Sequence, residues 1–223
     1  MSMMIQPARF VPPLPPEPVV FREYKNGSGI NAISYTFTNM AIGTANAARW
    51  VIAAIFINHN TSRSLVSVTI GGVSATLLYG APALSVPGGR WEFWKANVPT
   101  GTTASVAITA NTGTMYDGGA VTYTCNRQPF FFDGEHDGTY TGTTFSVAID
   151  VPTNGAVIAI ASNDNGGQRT SWVGIVEDWF DFGERLYVGS ADELPAETGR
   201  TVSVLMATTH GGFVGLAVLS ISV

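Results

Sequence analysis

Charged side chains are scarce in this chain: Asp, Glu, Lys and Arg make up only 12% of its 223 residues. Neutral Ser, Thr, Asn and Gly residues must therefore supply the polar surface. Cysteine occurs once, as Cys125, which excludes an internal disulfide. The residue lies in an alternating apolar segment, so we interpret it as a small buried side chain and assign it no redox role.

Long apolar runs are also missing. No window approaches the roughly 20 apolar residues of a membrane-spanning helix, and no basic region followed by an apolar segment opens the chain. We therefore expect a soluble protein with no membrane partner. Basic clusters dense enough for a phosphate backbone are absent as well, which argues against nucleic acid as a partner.

Catalytic and cofactor motifs are absent in the same way. The sequence contains no phosphate-binding loop, dinucleotide fingerprint or nucleophile elbow. His59, His136 and His210 fall in predicted loops, and none has the spacing of a metal-binding pair. We predict that the chain is not an enzyme and carries no cofactor.

Strand signals dominate what is present. Short alternating or apolar segments recur about every ten residues with turn residues between them, a spacing typical of sandwiches and barrels. We predict an all-β fold with nearly no helix, made of roughly ten to twelve strands in two packed sheets. The expected architecture is a jelly-roll-like β-sandwich.

An internal repeat organises these strands. The stretch RWVIAAIFINHNTSRSLVS at residues 49–67 returns as AVIAIASNDNGGQRTS at residues 156–171. Each begins with a continuous apolar run, which is typical of a strand buried on both faces. Residues 90–125 likewise resemble residues 185–223, so we predict half-repeats at about 30–126 and 143–223 within a body spanning residues 30–223.

The first 29 residues have a different composition. Six of the twelve prolines lie within the first 20 residues. Proline at this density favours an extended polyproline II segment that pairs with no sheet. We predict a docking arm over residues 1–29, and its apolar anchors are Phe10, Val11, Leu14, Val19, Val20 and Phe21.

Residues 126–143 are predicted to be a long irregular loop between the half-repeats. Within it, Asp133, Glu135 and Asp137 match the opening of an EF-hand calcium loop. The twelfth position is Thr144 instead of the expected Glu. A solvated acidic loop is the alternative, and we assign no metal.

A second acidic region, with Glu177, Asp178, Asp181 and Glu184, is interleaved with aromatic residues. Carboxylates beside aromatic platforms occur in glycosidases and on sugar-binding faces. The candidate glycan or partner face consists of Trp172, Trp179 and Phe182. The alternative is an ordinary polar rim at the strand ends.

Charge is divided unevenly along the chain. Residues 1–128 hold eight Lys and Arg against four Asp and Glu, a balance of +4, whereas residues 129–223 hold three against twelve, a balance of −9. This asymmetry favours a polar contact with another molecule, such as a second copy of the chain.

The succession RWVIAAIF, SVTIGGVSATLL, EFWKANVPTGTTASVAIT, NGAVIAIAS, RTVSVLMAT and GLAVLSISV resembles the β-sandwich structural proteins of tailed bacteriophages. The resemblance covers residues 30–223. It implies a non-enzymatic virion protein, often trimeric, that is made in the host cytoplasm and contacts itself and other virion proteins. We expect a capsid decoration or head-fibre protein anchored by its N-terminal arm, and the alternative is a tail-fibre or receptor-binding and glycan-binding module.

Overall fold

The structure is a computed structural model that describes residues 18–27, 30–59, 64–81, 88–139, 143–163, 169–181, 186–206 and 214–223. The described residues contain strands and no helix. The all-β prediction is therefore confirmed. The predicted residues Phe10, Val11, Leu14 and Phe182 lie outside the described part of the chain.

The described residues form seventeen strands. The N-terminal half contributes β1 Val20–Gly27, β2 Ser34–Ala41, β3 Trp50–His59, β4 Leu65–Ile70, β5 Val73–Ser74, β6 Thr76–Gly80, β7 Gly88–Asn97, β8 Thr103–Ala110 and β9 Asp117–Cys125. The C-terminal half contributes β10 Phe130–Thr139, β11 Thr144–Val151, β12 Gly155–Asn163, β13 Arg169–Val173, β14 Val176–Asp181, β15 Leu186–Leu194, β16 Glu197–Met206 and β17 Val214–Ser222.

Each half of the chain forms an antiparallel two-sheet sandwich. In the N-terminal half, a five-stranded sheet in the order β1-β9-β3-β7-β6 faces a four-stranded sheet in the order β2-β8-β4-β5. In the C-terminal half, the order β10-β17-β12-β15-β14 faces β11-β16-β13. Most consecutive strands alternate between the two sheets, as in a jelly roll, and this topology occurs twice.

The two five-stranded sheets pack against each other, so the described residues form four β-layers and three cores. In β3, Val51, Ala53 and Ile55 face the core within the N-terminal half. The intervening Ile52 and Ala54 face the core shared with the C-terminal half. A third core fills the C-terminal half. The prediction of two sheets and ten to twelve strands undercounts both, because each half-repeat closes its own sandwich.

The sequence repeat corresponds to a structural repeat. β3 and β12 each lie at the centre of a five-stranded sheet, and β7 and β15 each pair with that central strand. Val51 lies opposite Ala96, and Val157 lies opposite Ala191. The predicted equivalence of the central strands and of their neighbours is therefore confirmed at the level of sheet order and register.

The interface between the halves is itself repeated. At one end, Tyr24 of β1 stacks on Trp179 of β14 with ring centroids 4.0 Å apart. At the other end, His136 of β10 lies 3.1 Å, Nδ1 to Oη, from Tyr79 of β6. β1, the first strand of the N-terminal half, thus contacts the edge strand β14 of the C-terminal half. In the same way β10, the first strand of the C-terminal half, contacts the edge strand β6 of the N-terminal half. Such a reciprocal pattern is that of the interface in a two-fold homodimer.

The predicted N-terminal arm is wrong over residues 20–27. Residues 20–27 form β1, which pairs with β9 along its length, and Phe21 packs edge-on against Tyr123 with ring centroids 5.8 Å apart. Val19 is buried as well. The body therefore begins before residue 30, because the edge of β9 requires a hydrogen-bonding partner. Residues 1–17 lie outside the described part of the chain.

The predicted loop at residues 126–143 is wrong over most of its length. Residues 130–139 form β10, which pairs with β17 from Phe130 opposite Ser222 to Thr139 opposite Val214. Its glycines and acidic residues have low intrinsic strand propensity, which is why the sequence favoured a loop. Pairing with the buried strand β17 overrides that preference.

Candidate functional site

An open cleft lies where the N-terminal segment joins the body, and we call it the N-terminal cleft. Its volume is about 530 Å³, and it lies between residues 18–21 on one side and Val176, Asp178 and residues 190–192 on the other. Val20 and Val176 keep 36% and 71% of their surfaces exposed. Exposed apolar walls of this kind suit an extended apolar or proline-rich segment.

A hydrogen-bonded polar group lies beneath the N-terminal cleft. The Tyr123 hydroxyl donates to Asp178 Oδ2 over 2.8 Å, and the Ser190 side chain also bonds to Asp178. Burial raises the pKa of Asp178 above its ordinary value, and burial followed by the Asp178 charge raises the pKa of Tyr123. The phenol therefore stays protonated and donates, so this group joins β9 to β14 across the interface between the halves.

Three consecutive phenylalanines cover the opposite end of the interface. Phe130, Phe131 and Phe132 are each about half exposed, although Phe131 stacks on Tyr79 with ring centroids 6.3 Å apart. They open β10, an edge strand whose register shifts between Phe131 and Asp133. Adjacent exposed aromatic side chains on a sheet edge are typical of a contact surface.

Lys95 fixes the base of this aromatic run. Its ammonium donates to the Pro129 carbonyl and lies 4.8 Å from the Phe130 ring centroid and 5.5 Å from that of Trp50. Burial lowers the pKa of Lys95. Burial also raises the pKa of Cys125 to about 11, so this thiol is protonated at neutral pH and is a poor nucleophile.

Arg49 connects two turns at the end of the N-terminal half. Its guanidinium donates hydrogen bonds to five backbone carbonyls at distances of 2.7–3.0 Å, those of Gly43, Thr44, Val98, Thr100 and Gly101. The residue is 2% exposed. Burial, followed by the nearby charge of Arg22, lowers the pKa of Arg49. The five acceptors compensate the charge, so Arg49 is the polar centre of these turns.

The C-terminal half has an open cleft beside two of its turns, and we call it the turn cleft. Its volume is about 430 Å³, and it is lined by Phe132, residues 150–153 and residues 196–198. Asp150 and Glu197 contribute carboxylates to these walls. An aromatic ring beside two carboxylates suits a planar cation.

The predicted aromatic face is not a single platform. Trp172 lies on β13 of the three-stranded sheet and packs against the third core. Trp179 lies on β14 of a five-stranded sheet and is occupied by its stack on Tyr24. Asp178, from the associated acidic region, bonds to Tyr123. The structure thus places these predicted residues on different sheets with different partners.

The residues weighed as a calcium loop, with no metal assigned, form a strand instead. Asp133 Oδ2 accepts a hydrogen bond from the amide of Asp150, and Asp137 Oδ2 accepts one from the amide of Ser146, both over 2.8 Å. Glu135 lies between them on β10, opposite Val218. Two of the three predicted ligands thus stabilise the neighbouring strand β11.

The described residues contain no group of three or more His, Cys, Asp and Glu side chains arranged to hold a metal ion. None of these residues belongs to a helix long and apolar enough to cross a membrane.

Sequence reasoning missed the roles of Arg49 and Asp178. In the sequence, Arg49 was noted only as the first residue of an apolar stretch. An Arg directly before a buried strand indicates a buried cation, and a buried cation needs several hydrogen-bond acceptors. Gly155, the first residue of β12, occupies the matching position, so comparing the half-repeats residue by residue identifies the difference. The partnership of Asp178 with Tyr123, which is 55 residues away, leaves no local signal.

No protein-family model matches this sequence, and no curated protein is significantly similar to it.

Proposed function

We propose that this chain is a non-enzymatic structural protein of a virion, a capsid decoration or head-fibre protein that attaches through its N-terminal segment. One observation carries the proposal. β1 is hydrogen-bonded into the body, and the residues just before it form one wall of an open apolar cleft. Pro18, the first described residue, is therefore held at a fixed point on the body, which is what an attachment arm requires.

Two further features support a role in assembly. The fold is four stacked β-layers with three apolar cores, a rigid scaffold with polar residues alternating outward on its outer strands. The half-exposed phenylalanines at residues 130–132 add a second apolar contact surface away from the N-terminal cleft. Two separate contact surfaces suit a protein that binds both its own copies and another virion protein, as in a homotrimer on a particle.

The glycan-binding alternative has less support. Trp172 and Trp179 lie on different sheets, and Trp179 is stacked on Tyr24. Sugar recognition by stacking needs an open aromatic face.

The test is localisation followed by truncation. Antibody against this chain should label particles from its source at regular positions on the head. Deleting residues 1–17, and not the strand β1, should leave a folded protein that no longer joins the particles. Recovery of the chain only in particle-free fractions would refute the virion proposal, and full attachment of the truncated chain would refute the role of the arm.

A further inference from the structure

We propose that the turn cleft binds the guanidinium of Arg9 from a second copy of this chain. The inference rests on the proposed function, since it names the site at which the N-terminal segment docks. It goes further because it specifies one side chain, one chemical group and one cleft. Its basis is the internal repeat, in which the N-terminal half already holds a guanidinium at the equivalent place.

The first step is the equivalence of Arg49 and Gly155. Each residue closes a turn in which its amide donates to the carbonyl three residues earlier, Asn46 over 3.0 Å and Pro152 over 2.9 Å. Each also directly precedes or begins the central strand of its sheet. The N-terminal half therefore has an arginine side chain where the C-terminal half has Gly155, beside which Pro152 Cδ lies 2.7 Å from the position of a Cβ.

The second step concerns the surrounding backbone. The amide of Ile42 donates to the carbonyl of Thr102, the residue after Gly101. Ile149 lies opposite Arg200, the residue after Gly199. Because Gly101 and Gly199 occupy matching turns, Ile42 and Ile149 also match. The residues that follow, Gly43 and Thr44 in one half, therefore correspond to Asp150 and Val151 in the other.

The opposite wall corresponds in the same way. Thr100 and Gly101 match Thr198 and Gly199, and both glycines have positive φ, 75° and 69°. Thus three of the five residues whose carbonyls bind Arg49 have counterparts, at positions 150, 151 and 198, that line the turn cleft. The turn cleft therefore lies between turns that match those joined by Arg49 in the other half.

The third step is the chemistry of the lining. Asp150 and Glu197 give the cleft a negative character, although Asp150 Oδ1 accepts from the Gly199 amide and Glu197 Oε2 pairs with Arg200, both over 2.8 Å. Phe132 supplies a half-exposed ring on the same wall. A guanidinium can stack on such a ring while it donates to oxygens in its plane, which an ammonium cannot do.

The fourth step identifies the occupant. Residues 1–17 contain a single cation, Arg9, followed by Phe10 and a run of prolines. In an extended proline-rich conformation, roughly 3.1 Å per residue, nine residues between Arg9 and Pro18 span about 28 Å. This reach is enough to cross onto a neighbouring molecule. Head-to-tail docking of arms joins successive copies, and it forms a ring where the rotation between copies closes.

The experiment measures binding of a synthetic peptide of residues 1–17 to the full-length chain carrying Arg9→Gln, so that the protein's own arms do not compete. Fluorescence anisotropy should show saturable binding. The peptide with Arg9→Gln should bind at least tenfold more weakly, and the peptide with Arg9→Lys should fall between them. Glu197→Gln or Phe132→Ala in the protein should weaken the original peptide at least threefold. Glu193→Gln, an exposed acid outside the cleft lining, is the control and should change the affinity less than twofold.

Equal binding of the original peptide and the Arg9→Gln peptide, or no effect of either cleft variant, would overturn the inference. Sedimentation of the unmodified full-length chain should show an oligomer that Arg9→Gln weakens. A monomer at all concentrations would overturn the assignment to a second copy. If deletion of residues 1–17 abolishes particle attachment while these variants have no effect, the proposed function stands and this site does not. If the peptide binds the cleft but the deletion leaves attachment intact, the site stands and the proposed role of the arm in attachment fails.

Discussion

Replacing Arg49 with Ala should destabilise the N-terminal half by a measurable amount. The guanidinium donates to five carbonyls that belong to two separate turns. Charge-assisted bonds of this kind contribute about 1.5–3 kcal/mol each when measured singly, but they are not additive. Water can also reach the carbonyls once the side chain is gone. We therefore expect a loss of about 3 kcal/mol, comparable to removing one partner of a buried charged group.

The assay is thermal and urea denaturation followed by circular dichroism. For a chain of this length, a loss of about 3 kcal/mol lowers the melting temperature by about 6–12 °C. Arg49→Lys should lose roughly half as much stability, because an ammonium has three donors and no planar fork. Methylguanidinium at millimolar concentration should raise the melting temperature of Arg49→Ala more than that of the unmodified chain, since it can also occupy the vacated space.

The matched control is Arg22→Ala. Arg22 is exposed and donates to Thr124 Oγ1 over 2.6 Å, so its removal should cost less than about 1 kcal/mol. If Arg49→Ala costs no more than Arg22→Ala, Arg49 is not the polar centre of the turns. Arg49 would then give no reason to expect an equivalent guanidinium site in the C-terminal half.

Two further predictions follow from the interface and the turns. Because the pKa of Asp178 in the folded chain lies above its ordinary value of 3.8, the folded chain retains a proton that the unfolded chain releases, and stability should fall as pH rises through that window. Asp178→Asn, with Asp192, Tyr123 and Ser190 left in place around it, should reduce this dependence of stability on pH. The measurement is the urea midpoint of both proteins between about pH 4 and pH 7. Parallel profiles for the two proteins would show that Asp178 is not the group that titrates. Gly174→Ala should destabilise the chain by about 1–3 kcal/mol more than Gly199→Ala, since both residues have positive φ but only at Gly174 would a Cβ lie 2.1 Å from a carbonyl oxygen, that of Thr201. Equal losses in thermal denaturation would show that backbone strain alone determines both effects.

The repeat and the strand content were readable because they depend on short-range patterns. Alternation of apolar and polar residues, as in Phe145, Val147 and Ile149, predicts one buried face, and these residues are buried in β11. The continuous apolar run at residues 51–55 already indicated a strand buried on both faces, which the two-sheet prediction did not take into account. A strand in a two-sheet sandwich has one outer face, whereas Val51 and Ile52 are both fully buried, so a third layer was already implied.

The arm and the acidic loop were misassigned for one physical reason. β1 and β10 are edge strands rich in charged and glycine residues, and their own propensities do not favour a sheet. They form strands because β9 and β17 present unpaired backbone groups to them. A partner so distant in the sequence cannot be inferred from local composition.

The sequence by itself determined that the chain is all β, that its two halves repeat and that one proline-rich segment precedes them, since composition and periodicity specify these properties locally. Tertiary structure decided which residues share a site. Burial of two apolar sheet faces against each other brought Tyr123 to Asp178 and Tyr79 to His136. It also placed Phe132 beside residues 150–153 and 196–198, and the counterparts of these turns in the N-terminal half surround Arg49. These pairings depend on the packing of layers, which acts between residues that are distant in the sequence.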